Sequence, residues 1–161
     1  MKNKIIKNTP FILLLFHAIG LGVFYFFPDL RSLTFFNMIL CAFLLYLVES
    51  THKKAFSTLL IIFVSGYFIE LIGVKTGLLF GNYSYGNALG FKLFGIPIII
   101  GLNWYIIVLA SANLFSKIYV SNYLKAILAG LSATALDVII EPVAIKFNFW
   151  RWELNEIPYF N

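Results

Sequence analysis

Five stretches of almost uninterrupted hydrophobic residues divide the chain, and each approaches the length of about 20 residues that an α-helix needs to cross a bilayer. They lie near residues 10–27, 33–49, 55–74, 96–115 and 123–145. Because lipid offers the backbone no hydrogen-bond partners, such spans must be helical. The pattern predicts an all-α, polytopic transmembrane helical bundle of about five helices, which forms a single domain over residues 1–161.

A longer segment at 75–95, rich in glycine and tyrosine, separates the third span from the fourth. Irregular backbone at membrane depth persists only where it is buried in protein or faces water, so we expect this segment to be re-entrant. The number of crossings places the end of the third span, this segment and the end of the fifth span on the same side of the membrane. Polar and aromatic residues from all three regions can therefore meet.

Composition agrees with a membrane protein. Hydrophobic residues make up 61% of the 161 positions and charged residues only 12%, which is too apolar for a soluble domain of this size. The formal charge of +5 comes from dispersed Lys and Arg, without the dense basic run that binds a phosphate backbone. Membrane lipid is therefore an expected partner and nucleic acid is not, while no pattern in the sequence indicates an oligomeric state.

The basic residues also bear on orientation. Seven lie on the N-terminal side of the predicted spans and five on the opposite side, which gives a weak preference for a cytoplasmic N-terminus. Lys2, Lys4 and Lys7 precede the first span, but the aromatic run Phe24–Phe27 stands where a signal peptide would carry a small-residue cleavage site. We expect an uncleaved first span and an integral protein of a bacterial inner membrane.

Three acidic residues, Glu70, Asp137 and Glu141, lie in or at the end of these apolar stretches. An ionised carboxylate at mid-membrane costs roughly 2.5 to 3.5 kcal/mol on insertion scales, so a chain rarely carries three without a use for them. Small residues, which let membrane helices approach closely, stand near the acids at helical spacing. These small residues are Gly66, Gly73, Gly77, Ala129 and Ala133. We expect all three acids to point into the bundle, in protonated form, and to face one lipid-accessible cavity.

The polar residues in the spans also have structural interpretations. Glu70 and Glu141 would be structural residues if each paired with a cation at the interface, such as Lys75 or Arg151. Asn103 would then be an interhelical hydrogen-bonding residue. The Trp and Tyr residues on the acid side would belong to the aromatic belt found at membrane interfaces.

Several kinds of chemistry lack the residues they require. His17 and His52 are the only histidines, which excludes the histidine-rich membrane di-iron hydroxylases and desaturases. Cys41 is the only cysteine, so a cysteine-based metal site is not expected. The chain has no G-x-G-x-x-G after a strand and no Gly-Lys-Ser or Gly-Lys-Thr. We therefore expect no metal and no cofactor, which leaves chemistry driven by carboxyl groups.

Motifs between residues 70 and 152 follow one another in the order and spacing of a known family. They are Glu70-Leu-Ile-Gly73, Gly77, Gly81, Tyr83 and Tyr85, then Leu89-Gly90, Gly95-Ile-Pro97 and Asn103-Trp104, then Asp137-x-x-x-Glu141-Pro142 and Trp150-Arg-Trp152. This series resembles the membrane carotenoid hydratases, a family also labelled carotenoid biosynthesis protein. The first 65 residues match only as hydrophobic spans. Residues 157–161 look like the start of the family's closing segment, so we expect the family's last helix or helices to be missing here.

The resemblance implies a hydro-lyase that needs no cofactor. Such an enzyme adds water to the terminal 1,2 double bond of an acyclic carotenoid, such as the isoprenoid lycopene, and produces a tertiary alcohol. By general acid catalysis, Asp137 is expected to donate the proton, and Glu141 or Glu70 to hold and deprotonate the water. Residues expected to bind the substrate or stabilise its cation are Tyr83, Tyr85, Asn103, Trp104, Trp150 and Trp152. Gly73, Gly77 and Gly81 are expected to be structural.

Three alternatives remain open at the level of sequence. A carotenoid end-group cyclase would use the same proton and the same cation, but an internal double bond would quench the cation. A proton-coupled carrier would use the acids as a relay. A non-catalytic pigment-binding subunit would bind a carotenoid without turnover.

Overall fold

The computed structural model describes residues 2–153 and consists mainly of five α-helices. They are α1 (Lys2–Phe26), α2 (Leu33–Glu49), α3 (Ala55–Thr76), α4 (Ile99–Leu114) and α5 (Asn122–Lys146). A short 3-10 helix at Pro28–Ser32 joins α1 to α2. The strands are β1 (Tyr83–Tyr85), β2 (Lys92–Leu93), β3 (Ile96–Pro97) and β4 (Trp150–Trp152). The predicted helical bundle is confirmed, while the resemblance at residues 157–161 lies outside the described residues.

Four of the helices, α1, α2, α3 and α5, are long and apolar enough to cross a membrane. The protein is therefore an integral membrane protein. Helix α1 begins well before the predicted span at 10–27, because hydropathy locates the part of a helix that lies in hydrocarbon and not the turns that precede it.

The predicted fourth span, near 96–115, corresponds to a shorter helix than the other spans. Helix α4 has 16 residues, which corresponds to about 24 Å against about 30 Å of hydrocarbon. Residues 96–97 belong instead to β3, which pairs with β2 in an antiparallel hairpin. This hairpin precedes α4 in the chain and contacts α3 through β3.

The segment between α3 and α4 folds back along α3, as the re-entrant prediction requires. Gly77 ends α3 in the left-handed conformation, with φ 65°. The hydroxyl of Tyr67 donates to the carbonyl of Leu93 at 2.6 Å. Because Tyr67 lies nine residues before the end of α3, the hairpin returns about 14 Å along that helix. Ile96 and Pro97 are fully buried there.

Close contacts at small residues bring α3 and α4 together. A Cβ atom at Gly66 would overlap the Trp104 side chain, and one at Gly101 would overlap the Phe63 ring. The main hydrophobic core lies on the acid side of the bundle, where the hairpin meets the end of α5. Its buried members are Leu89, Ile96, Ile99, Ile100, Ala144, Phe147 and Phe149. This packing fixes the 77–98 segment against the helices that carry Glu70 and Glu141.

We predict that Gly66→Ala destabilises the protein by about 1–3 kcal/mol, because the added methyl group overpacks the contact with Trp104. Gly22→Ala is the matched control, since nothing lies within 4 Å of a Cβ atom at that position. Thermal unfolding in detergent measures both variants. Equal midpoints for the two variants would contradict the packing argument.

Candidate active site

Glu70 lies on α3, and its buried carboxylate, 6% exposed, is surrounded by aromatic hydrogen-bond donors. The hydroxyl groups of Tyr83 and Tyr85 both donate to Oε1, the latter at 2.5 Å. The indole Nε1 of Trp104 donates to Oε2 at 3.3 Å. All three donors belong to segments that follow α3 in sequence, so the folded-back segment and α4 together enclose this carboxylate.

Glu141 lies on α5 and has a similar environment, with 5% of the residue exposed. Its Oε1 accepts the indole Nε1–H groups of Trp150 at 2.8 Å and Trp152 at 2.6 Å. Asn148, with φ 57°, lies in the turn that reverses the chain after α5. The reversal allows β4 to run back beside the end of its own helix and to place both indoles on Glu141.

The antiparallel pairing of β1 with β4 joins the two environments. Tyr83 lies opposite Trp152, and Tyr85 lies opposite Trp150. Because alternate residues of a strand point to the same face, these four side chains share one face of the two-stranded sheet. The ring centroids of Tyr83 and Trp152 are 5.2 Å apart. The expectation that Glu70, the 75–95 segment, Glu141 and the C-terminal aromatic residues meet is thus confirmed.

The donors to these carboxylates are aromatic groups, not cations. All three tryptophans of the chain donate to one carboxylate or the other. The structural pairing of Glu70 or Glu141 with Lys75 or Arg151 is therefore not the arrangement observed. Indole N–H groups only donate, and an ionised carboxylate only accepts, so this donor set suits the ionised form more than the protonated form we expected. Neutral donors leave the negative charge in place.

Asp137 differs from the other two acids because its side chain is exposed. It lies one helical turn before Glu141 on α5, close enough to Glu141 and Glu70 for their charges to interact. The prediction that all three acids point into the bundle is right for Glu70 and Glu141 and wrong for Asp137. The reason is that α5 packs mainly against α4 and β4, which leaves this face uncovered among the described residues.

A common cavity for the three acids was also expected. Among the cavities of the described residues, a polar one includes Arg31, Arg151 and the site residue Tyr85, and an apolar one includes Phe35 and Phe63, but neither of these two is lined by the acids. The acids thus form a buried pair with one exposed neighbour. Within residues 2–153, no group of three or more His, Cys, Asp or Glu is placed to hold a metal ion.

The remaining predicted residues fall into two sets. Asn103 is half-buried beside Trp104 but is not a donor to either carboxylate. Each of the three predicted structural glycines has a steric reason for its identity. A Cβ atom at Gly73 would overlap Phe80, while Gly77 and Gly81 have φ values of 65° and 85°. These glycines shape the segment that carries Tyr83 and Tyr85.

Two further residues contribute to the site although the sequence analysis gave them no role. Pro142, directly after Glu141, lies inside α5 and offers no N–H to the carbonyl of Val138. This leaves an acceptor on the turn between Asp137 and Glu141. The Nζ of Lys92 donates to the carbonyl of Tyr85 at 2.6 Å and so ties β2 to β1. The proline was visible in the sequence as a helix-interior proline, whereas nothing in the sequence indicated the role of Lys92.

The two tyrosines are well suited to remain hydrogen-bond donors. Burial, and next to it the negative charge of Glu70, raises the pKa of both the Tyr83 and the Tyr85 hydroxyl above the ordinary value for tyrosine. Both causes disfavour the phenolate. The hydroxyl groups therefore stay protonated at neutral and mildly alkaline pH and continue to donate to Glu70.

Comparison with known proteins places this architecture in a family. The family model described as carotenoid biosynthesis protein matches residues 31–161, which is most of the chain. This chain belongs to the carotenoid biosynthesis protein family. The match includes both carboxylates and all five of their aromatic donors. It therefore covers the whole of the site described above.

A curated relative is bisanhydrobacterioruberin hydratase of Haloarcula japonica. The two sequences are 29% identical over 112 residues, which is 65% of this chain and 37% of that protein. The chain thus spans well under half the length of this relative. No solved structure matches the chain significantly.

We predict that Trp150→Phe destabilises the protein by about 1.5–3 kcal/mol, because it removes a partly buried hydrogen bond to the charged group of Glu141. Thermal unfolding of Trp150→Phe, Glu141→Gln and the double variant measures the effect. Glu141→Gln keeps the acceptor oxygen but removes its charge, so it weakens the same bond that Trp150→Phe removes, and the two effects should be less than additive. Additive losses would show that Trp150 stabilises the fold only by packing.

We also predict an alkaline instability that arises from Tyr83 and Tyr85. A hydroxyl whose pKa is higher in the folded state contributes stability below the pKa of about 10 in the unfolded chain, and this contribution is lost as pH rises above it. Tyr85→Phe should therefore reduce the fall in thermal midpoint between pH 8 and pH 11. Tyr119→Phe, which changes a fully exposed tyrosine, is the control. A fall of wild-type size in Tyr85→Phe would contradict the assignment.

Proposed function

We propose that this protein is a carotenoid hydratase, a hydro-lyase that needs no cofactor and adds water to the terminal 1,2 double bond of an acyclic carotenoid. The observation that carries the proposal is a pair of buried carboxylates held by five aromatic donors, with a third, exposed acid one turn away. Family membership supports carotenoid biosynthesis. The name of the relative supports hydration as the reaction.

The first step is protonation of the alkene, and Asp137 is the acid best placed to perform it. Its exposed side chain is accessible to a polyene dissolved in lipid, whereas the carboxylates of Glu70 and Glu141 are buried. The five aromatic donors bind those two carboxylates and leave Asp137 free to give up a proton. The proton adds to the less substituted carbon, and the π electrons form that C–H bond. A tertiary carbocation results at the other carbon.

The second requirement is stabilisation of this cation. Glu70 and Glu141 supply negative charge that is already held in position, so no reorganisation is needed when the cation forms. Aromatic faces add roughly 2 kcal/mol or more for a desolvated cation. The rings of Tyr83, Tyr85, Trp150 and Trp152 lie on the same face of the sheet as the carboxylates. The indole of Trp104, which lies on α4 and donates to Glu70, is a third indole near the carboxylates.

The third step is the capture of the cation by water. Both indoles bind Oε1 of Glu141, which leaves Oε2 without a bond from the described side chains. The Val138 carbonyl, freed by Pro142, offers a second acceptor on the same turn of α5. A water molecule held by these two oxygens attacks the cation through its lone pair. It then releases one proton to Glu141, and return of that proton to Asp137 completes the addition of one water.

We predict that Asp137→Asn abolishes the hydrated product in a lycopene-producing bacterial host, because the N–H of the amide is far too weakly acidic to protonate an alkene. Glu141→Gln and Glu70→Gln should each lower hydration by about 10²-fold or more, the scale of general acid–base catalysis for Glu141 and of preorganised electrostatic stabilisation for Glu70. Glu49→Gln, which changes an acid at the C-terminal end of α2 and outside the site, is the matched control and should keep wild-type activity. The measurement is the mass of the extracted pigments, which increases by one water for each hydrated end.

Other outcomes of this experiment would contradict the proposal. A new pigment of unchanged mass in the wild-type strain would indicate end-group cyclisation, in which an internal double bond captures the same cation. Stoichiometric binding of lycopene to the purified protein without any product would indicate a pigment-binding subunit. Unchanged hydration in Asp137→Asn would remove Asp137 from the mechanism.

A further inference from the structure

A second polar site lies at the same end of the bundle as the carboxylates and adjoins Tyr85, which donates to Glu70. It is a cavity of about 370 Å³. Its lining comes from the 3-10 helix between α1 and α2, from residues 85–88, which begin with the last residue of β1, and from Asn148 and Arg151 around β4. The residues that bear charge or unpaired polar atoms there are Asp29, Arg31, Asn148 and Arg151. Arg151 alternates with Trp150 and Trp152 on β4, so its side chain leaves the opposite face of the sheet.

The basic residues that line this cavity are arginines and not lysines. The chain has twelve basic residues, of which only Arg31 and Arg151 are arginine. Both of them line this one cavity, although they are far apart in sequence. The planar guanidinium group presents a fork of donors that matches phosphate oxygens in a bidentate way, which the ammonium group of lysine does not. Two arginines from separate elements therefore indicate a site for a phosphate group.

The cavity also has acceptors that a bare phosphate would leave unused. The Oδ1 of Asn148 is buried and has no hydrogen-bond partner, which is costly unless a ligand or water supplies a donor. Asp29 adds a carboxylate to the same lining. An oxyanion would be repelled by Asp29 and would not satisfy Asn148. The fitting ligand carries a phosphate and, beside it, an N–H or O–H donor.

The position of the cavity identifies the source of such a ligand. The 3-10 helix that contributes Asp29 and Arg31 joins the ends of two spanning helices, α1 and α2, so it lies at the boundary of the membrane. The last residues of α1 beside it, Tyr25 and Phe26, are 81% and 69% exposed. Exposed aromatic residues at a helix end are typical of the level at which lipid headgroups lie. Acyl chains can therefore extend along α1 while the headgroup occupies the cavity.

We propose that this cavity binds the headgroup of a membrane phospholipid. The phosphodiester lies between Arg31 and Arg151, and a donor of the headgroup, the ammonium of ethanolamine or a hydroxyl of glycerol, binds Asp29 and Asn148. Because β4 carries Arg151 on one face and the two indoles on the other, a bound lipid would also hold the strand that positions Trp150 and Trp152. The proposal is independent of the hydration chemistry.

The test is lipid binding to the full chain in a non-ionic detergent, followed by native mass spectrometry. Phosphatidylethanolamine and phosphatidylglycerol should bind with one-to-one stoichiometry. Phosphatidylcholine, which lacks a headgroup N–H or O–H donor, and diacylglycerol, which lacks the phosphate, should bind more weakly. Arg31→Gln with Arg151→Gln should weaken the binding of the first two lipids at least tenfold. The matched control, Lys75→Gln with Lys146→Gln, removes two cations outside the cavity lining and should leave binding unchanged.

A second variant distinguishes a loss of lipid binding from a loss of structure. Arg31→Lys keeps the charge but loses the bidentate fork, so it should bind phosphatidylethanolamine several-fold more weakly while tryptophan emission stays that of the wild type. Equal lipid binding by the wild type and the arginine variants would overturn the proposal, as would diacylglycerol that binds as well as phosphatidylethanolamine. Complete displacement of lipid by millimolar inorganic phosphate, without preference among headgroups, would assign the cavity to free phosphate and overturn the lipid assignment.

Discussion

The structure depends on the satisfaction of two buried carboxylates by aromatic N–H and O–H groups. A buried charge without partners would be far too costly in this environment, and a cationic partner would cancel the charge. Five aromatic donors solve both problems, since they satisfy the oxygens of Glu70 and Glu141 but leave their charge intact. Each donor also brings an apolar ring that packs in the hydrophobic interior.

This requirement explains the irregular parts of the fold. A helix cannot direct side chains from two distant segments onto carboxylates of two other helices, whereas a two-stranded sheet can, because its alternate residues share one face. The pairing of β1 with β4 meets this need. This arrangement requires a stretch of non-helical backbone between α3 and α4. The fold accommodates it with a short α4 and a hairpin that is hydrogen-bonded to Tyr67.

The sequence predicted the helices, the re-entrant segment and the meeting of Glu70, Glu141 and the aromatic residues, because these follow from hydropathy, glycine content and the number of crossings. It did not predict the strands, since two or three residues such as Tyr83–Tyr85 carry no periodic signal of their own. The exposure of Asp137 was missed for another reason. Spacing shows which residues share a helix face, but only packing shows whether a neighbour covers that face, and α5 has few neighbours among the described residues.

The difference between the fixed acids and the exposed one has a chemical consequence for the proposed reaction. The proton donor must be protonated when the alkene arrives, whereas anions that are preorganised to stabilise the cation must already be ionised. Donors that hold Glu70 and Glu141 suit the second role, because they favour a carboxylate before the substrate arrives. Asp137 lies outside that set of donors and one turn from Glu141 on α5, which suits the first role. In the proposed reaction the aromatic groups would therefore separate the two roles, although none of them donates a hydrogen bond to Asp137 among the described residues.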